Sequence, residues 1–358
     1  MEENNFESYL LEHARLINGK LAEVLARKSS THYMEEILGG SDYEYDNRAI
    51  DEGILKPAWY LLELGGKRWR PVIMGLIIEA LGKKWEDYLE FMLIPEVIHN
   101  GTLVHDDIED GSSIRRGAPA VHTKYGIDVA VNLGAFLYYF PIVTLIDTKK
   151  LSADTKSKML EVYVREMVRV GIGQGIDIAW HAGLVDGYKI NENRYMQMAY
   201  NKTGVLPRMA AEMGAIIAGS DDELIKTLGN FGATIGVAFQ IQDDIMNITK
   251  SHVAETKGGV GDDITEGKIT LMVIHTLKEA DKKDRDRLID ILKMHTKDKD
   301  MIDEAIAIID KYNGNEYARK LADNLVVDAW KGIDKLLPES EAKMRIRQLA
   351  DYMVSRKE

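Results

Sequence analysis

Two acidic runs interrupt apolar stretches of the sequence, LVHDDIED at 103–110 and FQIQDDIMN at 239–247. On a helix, Asp106 and Asp110 share one face, four residues apart, with Asp107 adjacent. Asp243 and Asn247 repeat that spacing around Asp244. Like charges so placed destabilise a helix by about 0.2–0.5 kcal/mol. Flanking them with Leu103, Val104, Ile241 and Ile245 adds a desolvation cost. Two such clusters need a compensating cation. Oxygen donors in a chain without cysteine select a hard ion, Mg²⁺ above all. That ion takes one or two carboxylates, waters and substrate phosphates. Two facing clusters would hold several ions around a diphosphate.

The basic residues supply the complement. GGKRWRP at 65–71 reads as a compact cationic turn that opens a helix at Pro71. SSIRRG at 112–117 places Arg115 and Arg116 just after the first acidic run. Guanidinium groups suit bidentate phosphate contacts. Metal-binding acids beside separate basic turns suit two phosphorylated substrates held side by side. No Ser/His/Asp or cysteine nucleophile is evident. The glycine-rich stretch 257–267 is not a Walker A loop. Five residues separate Gly261 from Gly267, and Ile269 follows Lys268 where Ser or Thr is required. Gly171, Gly173 and Gly175 likewise make no dinucleotide fingerprint.

Composition narrows the function classes. The 358 residues carry 46 Lys+Arg against 58 Asp+Glu, a net charge of −12, which argues against a nucleic-acid-binding surface. The absence of cysteine excludes disulfides, Cys-based zinc sites, thiol nucleophiles and iron–sulfur clusters. The acidic start MEENNFE has no apolar core and resembles neither a signal nor a transit peptide, so a cytoplasmic location is expected. Val129 to Ile146 runs 18 residues without a charge, at the threshold for a membrane span. Asn132, Gly134 and Pro141 interrupt it. A helix buried on all sides of a bundle is the expected reading, with no transmembrane span.

The elements that must position these groups read as helices. Only 7 prolines permit long, unbroken ones. Leu228, Phe231, Ile235, Ala238, Ile241 and Ile245 recur with a 3.6-residue rhythm. Ser220 and Glu223 form a capping-box pattern at its start, and Gly219 is placed to end the preceding helix. Leu288–Ile309 and Tyr317–Leu337 look like amphipathic surface helices. Breaks are expected near Gly39, Gly111, Gly183 and 257–267. No strand pattern, repeat or composition boundary appears. The expected architecture is one all-α domain over 1–358, with a motif core at about 60–276 and C-terminal helices at about 285–355.

At this point the chain resembles the trans-isoprenyl diphosphate synthases, the polyprenyl synthetase family. The resemblance rests on an ordered set: GGKRWRP, the aspartate-rich DDIED with RRG downstream, GQGID, KTG, the second aspartate-rich motif in FQIQDD, and GDDITEGK. It implies an all-α bundle around a deep apolar cavity, usually a homodimer. It implies that Asp106, Asp107 and Asp110 bind Mg²⁺ on the allylic diphosphate, and that Asp243, Asp244 and Asn247 bind the rest, three ions per site, with Mn²⁺ able to substitute. Arg115 would contact the allylic diphosphate. Gly66, Lys67, Arg70, His99 and Arg116 match the isopentenyl diphosphate site, His99 through the run IHNGTLVHDD. Lys202, Thr203 and Gln240 match positions facing the scissile bond, and Lys268 and Lys257 match lysines near the diphosphates. Asn247 stands where many members have Asp, Lys257 lies four residues before Gly261 where the spacing is usually shorter, and Met272 stands close to a common Pro.

In this family the product grows away from the first aspartate motif, and a bulky residue one turn upstream acts as a floor. Here Gly101 and Thr102 are small, which implies a product longer than farnesyl, with geranylgeranyl diphosphate favoured. Ile98, Phe136, Tyr138 and Tyr139 are further candidates to limit growth. Two other readings use the same fold: a terpene cyclase, which need not keep Lys67, Arg70 and Arg116, and a non-catalytic partner subunit, which usually loses acids from the metal motifs.

Overall fold

Helices dominate the chain, as its scarce proline permits. The structure is a computed structural model and describes residues 2–249 and 260–355. The chain forms two compact units, residues 1–158 and 159–358.

The first unit runs α1 (Glu2–Val24), α2 (Thr31–Leu38), α3 (Asn47–Ile50), a π-helical turn, α4 (Lys56–Glu63), α5 (Trp69–Ala80) and α6 (Leu89–Glu109). A two-strand hairpin follows, β1 (Ile114–Arg115) with β2 (Ala118–Pro119), then α7 (Val121–Tyr125), α8 (Ile127–Tyr139) and α9 (Val143–Asp147). The helix α10 (Ala153–His181) begins here and continues into the second unit. The core forms where α6 meets α1, α5 and α8. Leu10 and Ile17, Ile73 and Ile77, and Phe91, Ile94 and Ile98 are fully buried there. Burying side chains of this size contributes about 1.5–3 kcal/mol each.

Three sequence expectations change here. The helix over the cationic turn opens at Trp69 rather than at Pro71, which lies inside its first turn, and Arg68 flanks it in the left-handed conformation. The charge-free stretch is not one helix. It is α8, a 3₁₀ turn at Phe140–Ile142 around Pro141, and α9. Nor is it buried on all sides, because Val131, Tyr139 and Ile146 are each more than half exposed.

The second unit holds the rest of α10, then α11 (Glu192–Lys202), α12 (Val205–Ala218), α13 (Asp222–Ile248), a single turn α14 (Asp262–Thr265), and α15 (Leu271–Glu279) to α19 (Glu341–Ser355). Between these last two run α16 (Lys282–Lys293), α17 (Lys299–Lys311) and α18 (Gly314–Ile333). The rhythmic helix α13 is the axis, contacting α11, α12, α18 and α19. Its cap differs from the expected box. Asp221, not Ser220, accepts the Leu224 N–H, because Ser220 already lies beyond the Gly219 left-handed stop of α12. The stretch 288–309 is broken between α16 and α17 rather than continuous.

A buried charge cluster joins α10 to α12. Glu166 and Arg208 are buried, and Glu212 packs beside Gly229. Burial, reinforced by Glu166, pushes the Glu212 carboxyl up to about 7. The folded chain therefore holds a proton that the unfolded chain releases near 4.5. Its stabilising effect is present below that value and lost as pH rises through about 7. Glu212→Gln is expected to raise Tm relative to the parent at pH 8, with the gain shrinking toward zero at pH 5. Thermal unfolding across that range checks it, and a pH-independent difference would refute the assignment.

Candidate functional site

The first cluster is built on α6, which carries His99, Asp106 and Asp107 and ends on Asp110 as its C-cap. The Asp110 N–H donates to the Asp106 carbonyl at 2.8 Å, so the two carboxylates stand one helical turn apart. Asp107 points inward, with its side chain 1 % exposed. It accepts from Arg115 Nε at 2.8 Å and also from Nη2, while Asp106 lies 3.8 Å from the same Nη2. Burial opposes the Arg115 charge, but Asp107 outweighs it and raises the guanidinium above its ordinary range. The hairpin turns at Arg116 and Gly117, both at positive φ, which presents the two arginines side by side.

Arg116 Nη1 donates to the Gly65 carbonyl, clamping the hairpin to the cationic turn. Gly66 sits at φ 139° in the same turn, and a Cβ there would lie 3.3 Å from Arg116 Nη2. Only glycine takes that backbone readily. Burial pushes Arg116 down to about 10. Arg70 is buried and stacks over the Trp69 ring at 4.6 Å. Lys67 is half-exposed and lies 3.0 Å from Glu7. His99 is held well below its ordinary value by burial, with Arg70, Arg116, Arg68 and Arg115 adding to the effect, so it is neutral at pH 7.

The second cluster is a hydrogen-bond chain across α10, α11 and α13. Thr203 Oγ1 donates to Gln240 Oε1 at 2.6 Å, and Gln240 Nε2 donates to Asp244 Oδ1 at 2.6 Å. Tyr195 Oη donates to the other oxygen of Asp244 at 2.8 Å. Burial raises the Asp244 carboxyl to about 6 against these hydrogen bonds. Lys202 Nζ donates to Asp177 at 2.6 Å. Asp243, next along α13, is half-buried. Asn247 accepts the Asp263 N–H on Oδ1 at 3.0 Å and the Gly261 N–H on its carbonyl at 2.9 Å. It thus ties down the turn before Lys268 and keeps one amide lone pair for a ligand. Lys268 pairs with Glu266 and lies 3.8 Å from Asp263. Lys257 lies outside the described residues.

The residues named from the sequence thus gather into two sets: Asp106, Asp107, Asp110, Arg115, Arg116, Gly66, Arg70 and His99, and Lys202, Thr203, Gln240, Asp243, Asp244 and Asn247. Tyr195, Asp177, Asp263 and Glu266 join them. Asp177, Asp263 and Glu266 lie inside the quoted motifs GQGID and GDDITEGK, which was the available signal. Tyr195 had none. Among the described residues, no three acidic or histidine side chains converge into a preassembled metal cluster.

Ile98 is fully buried, and Thr102 donates to the His99 carbonyl at 2.8 Å. Gly101 opens onto α8 rather than onto free space. A Cβ there would lie 2.9 Å from the Gly134 carbonyl and 3.0 Å from the Tyr138 ring. Tyr138 is fixed by His105, whose Nδ1 lies 3.0 Å from its hydroxyl.

Comparison with known proteins accords with this geometry. The polyprenyl synthetase family model matches residues 51–309. A short chain isoprenyl diphosphate synthase of Methanothermobacter thermautotrophicus is 35% identical over 305 residues, 85% of this chain and 91% of that protein. A geranylgeranyl diphosphate synthase of Methanosarcina mazei is 32% identical over 308 residues, covering 85% and 90%. The crystal structure of geranylgeranyl pyrophosphate synthetase from Pyrococcus horikoshii superposes with a TM-score of 0.84 at 30% identity, over 99% of this chain and 100% of that one. With two aspartate-bearing helices, each beside its own cations, and a match of this extent, the chain belongs to the polyprenyl synthetase family and is a trans-prenyltransferase.

Proposed function

We propose that the protein condenses isopentenyl diphosphate with an allylic diphosphate and that its main product is geranylgeranyl diphosphate. The observation that carries this reading is that each acidic run has its own cation, Arg115 bonded to Asp107 in the first and Lys268 acting on Asp244 in the second, with Lys202 bonded to Asp177 of the GQGID motif. Intact Lys67, Arg70 and Arg116 favour elongation over cyclisation, and the retained aspartates favour an active enzyme over a silent partner subunit.

In this reading Asp106, Asp107 and Asp110 hold Mg²⁺ at the first cluster, and Asp243, Asp244 and Asn247 hold it at the second, with three ions in all and Mn²⁺ as a substitute. Bound Mg²⁺ would neutralise the allylic diphosphate as its C–O bond breaks. Arg115 adds fixed positive charge beside the first cluster, and Lys202 does so in the second unit. Lys67, Arg70 and Arg116 bind the isopentenyl diphosphate, and neutral His99 donates one further hydrogen bond without adding another charge to that crowded site. The isopentenyl double bond then forms the new C–C bond to the allylic carbon, and the released diphosphate takes the proton lost from the adduct. The Thr203–Gln240 pair keeps its polar atoms mutually satisfied, so that little competes for the electron-poor carbon.

The test is direct. Purified protein with Mg²⁺, isopentenyl diphosphate and each allylic primer should yield dephosphorylated geranylgeraniol on chromatography. Failure to elongate any primer would overturn the reading. For chain length, the Tyr138 ring is the bulk beside Gly101, so Tyr138→Ala is expected to lengthen the product by at least one isoprene unit. An unchanged product would move the floor to Ile98 or Phe136. We also propose a homodimer. Val164, Val168 and Ile172 recur at four-residue spacing along α10, each more than half exposed, and sedimentation at the mass of a monomer would exclude it.

A further inference from the structure

Arg68 looks, in the sequence, like one more cation of the phosphate-facing turn. Its side chain is instead turned inward, and the residue is 2 % exposed. Nη1 donates to Glu96 Oε1 at 2.7 Å, Nη2 to the Leu62 carbonyl at 2.8 Å, and Nε to Asn18 Oδ1 at 3.1 Å. We propose that Arg68, Glu96 and Asn100 form a positioning strut that holds the Gly65–Arg70 turn in its anion-binding shape and in register with the aspartate motif. This rests on the assignment of that turn to isopentenyl diphosphate.

Four observations carry it. Arg68 adopts φ 51° and ψ 30°, a left-handed conformation that is unfavourable for a non-glycine residue. The three hydrogen bonds of its guanidinium are what hold it there. Second, Glu96 is itself 2 % exposed, and Asn100 Nδ2 fixes it by donating to its carbonyl at 2.8 Å and to Oε1 at 3.2 Å. Third, Gly66 is flanked by two guanidinium groups, so that a Cβ would meet Arg116 Nη2 at 3.3 Å and Arg68 Nη1 at 3.4 Å. The turn is therefore gripped from α6 through Arg68 and from the hairpin through Arg116. Fourth, burial would raise the Glu96 carboxyl, yet Arg68, Arg70 and Arg116 together lower it. Glu96 is thus the buried counter-charge that lets these cations remain together before any anion arrives.

Helix α6 then links the two substrate sites. Glu96 and Asp106 lie ten residues apart on it, about 15 Å at 1.5 Å per residue. A shift of the strut moves the basic turn relative to the aspartates while leaving every phosphate-contacting side chain chemically unchanged. Arg68, Glu96 and Asn100 touch neither substrate in this proposal, so their effect is on placement.

Glu96→Gln and Arg68→Lys are to be compared with the parent, together with the paired variant Glu96→Leu/Arg68→Met. The pair removes both buried charges, so its thermal stability should recover relative to Glu96→Gln. The strut predicts that KM for isopentenyl diphosphate rises about ten- to a hundredfold in Glu96→Gln and in the pair, as expected for a displaced binding group, with KM for the allylic diphosphate within about twofold. Arg68→Lys, which keeps the charge but not the three-bond fork, should show a smaller rise that still exceeds about twofold. Calorimetric titration with inorganic diphosphate in metal-free buffer decides the matter independently of turnover, because without metal the aspartate clusters repel the anion and the basic residues alone attract it. Affinity about tenfold weaker or more in the folded paired variant supports the strut. Affinity or isopentenyl KM within about twofold of the parent in any folded variant overturns it. If the parent fails to elongate any primer, the functional reading fails, and the diphosphate titration still decides the strut.

Discussion

Asp106→Ala is expected to lower kcat by about 10²–10³-fold or more, the scale of losing one group that stabilises charge in a transition state, without lowering Tm. The two halves of this expectation have separate causes. Asp106 and Asp110 repel each other at one-turn spacing. They also sit at the C-terminal end of α6, where the helix dipole disfavours negative charge. Removing Asp106 relieves both, by a few tenths of a kcal/mol each, against the loss of its 3.8 Å approach to Arg115. A residue that destabilises its own helix and is needed for turnover is a ligand rather than a structural acid. Steady-state assays at saturating Mg²⁺, paired with thermal unfolding, check both halves. Near-parental kcat would remove Asp106 from the metal site, and a large loss of Tm would make it structural. Asp243→Ala on α13 is expected to lower kcat in the same way.

The second large effect is expected at Gly173. A Cβ there would lie 2.5 Å from the Asn201 carbonyl carbon. The obstacle is backbone, so no rotamer change relieves it. Gly173→Ala must push α10 away from the end of α11, an overpacking that costs about 1–3 kcal/mol. Asp177 follows Gly173 by one turn on the same face, and its partner is Lys202, next to Asn201. The displacement therefore reaches the Lys202–Asp177 pair, and kcat should fall about tenfold or more, as small misplacements of reacting groups do. Gly175, two residues on, is the internal control. A Cβ there meets nothing within 4 Å, so Gly175→Ala should be active and more stable by about 0.5–1 kcal/mol, the ordinary helix gain of alanine over glycine. Equal behaviour of the two variants would show that the close approach carries no function.

How much of this was legible in advance divides along a physical line. The 3.6-residue rhythm from Leu228 to Ile245 reports which face of α13 is apolar, and that face is buried. Local chemistry also marked the Gly219 stop, whereas the stretch around Pro141, read as one helix, is divided by a 3₁₀ turn. Cap details were less secure, since Ser220 and Asp221 are adjacent and equally suited, and only the course of the chain after Gly219 selects Asp221.

The residue types and spacing of DDIED, FQIQDD, RRG and KTG by themselves determined the chemistry on offer: oxygen donors on helix faces, with cations nearby. Side-chain direction was decided elsewhere. Arg68 and Arg70 are two residues apart and chemically alike, yet Arg68 is turned in to Glu96 while Arg70 stacks on Trp69. Tyr195 reaches Asp244 from 49 residues away, and Gly101 is small because α8 passes beside it. Helical periodicity encodes a face, because it follows from backbone geometry that every residue shares. A hydrogen-bond partner depends on which distant helix packs against that face, and only the packed tertiary structure decides that.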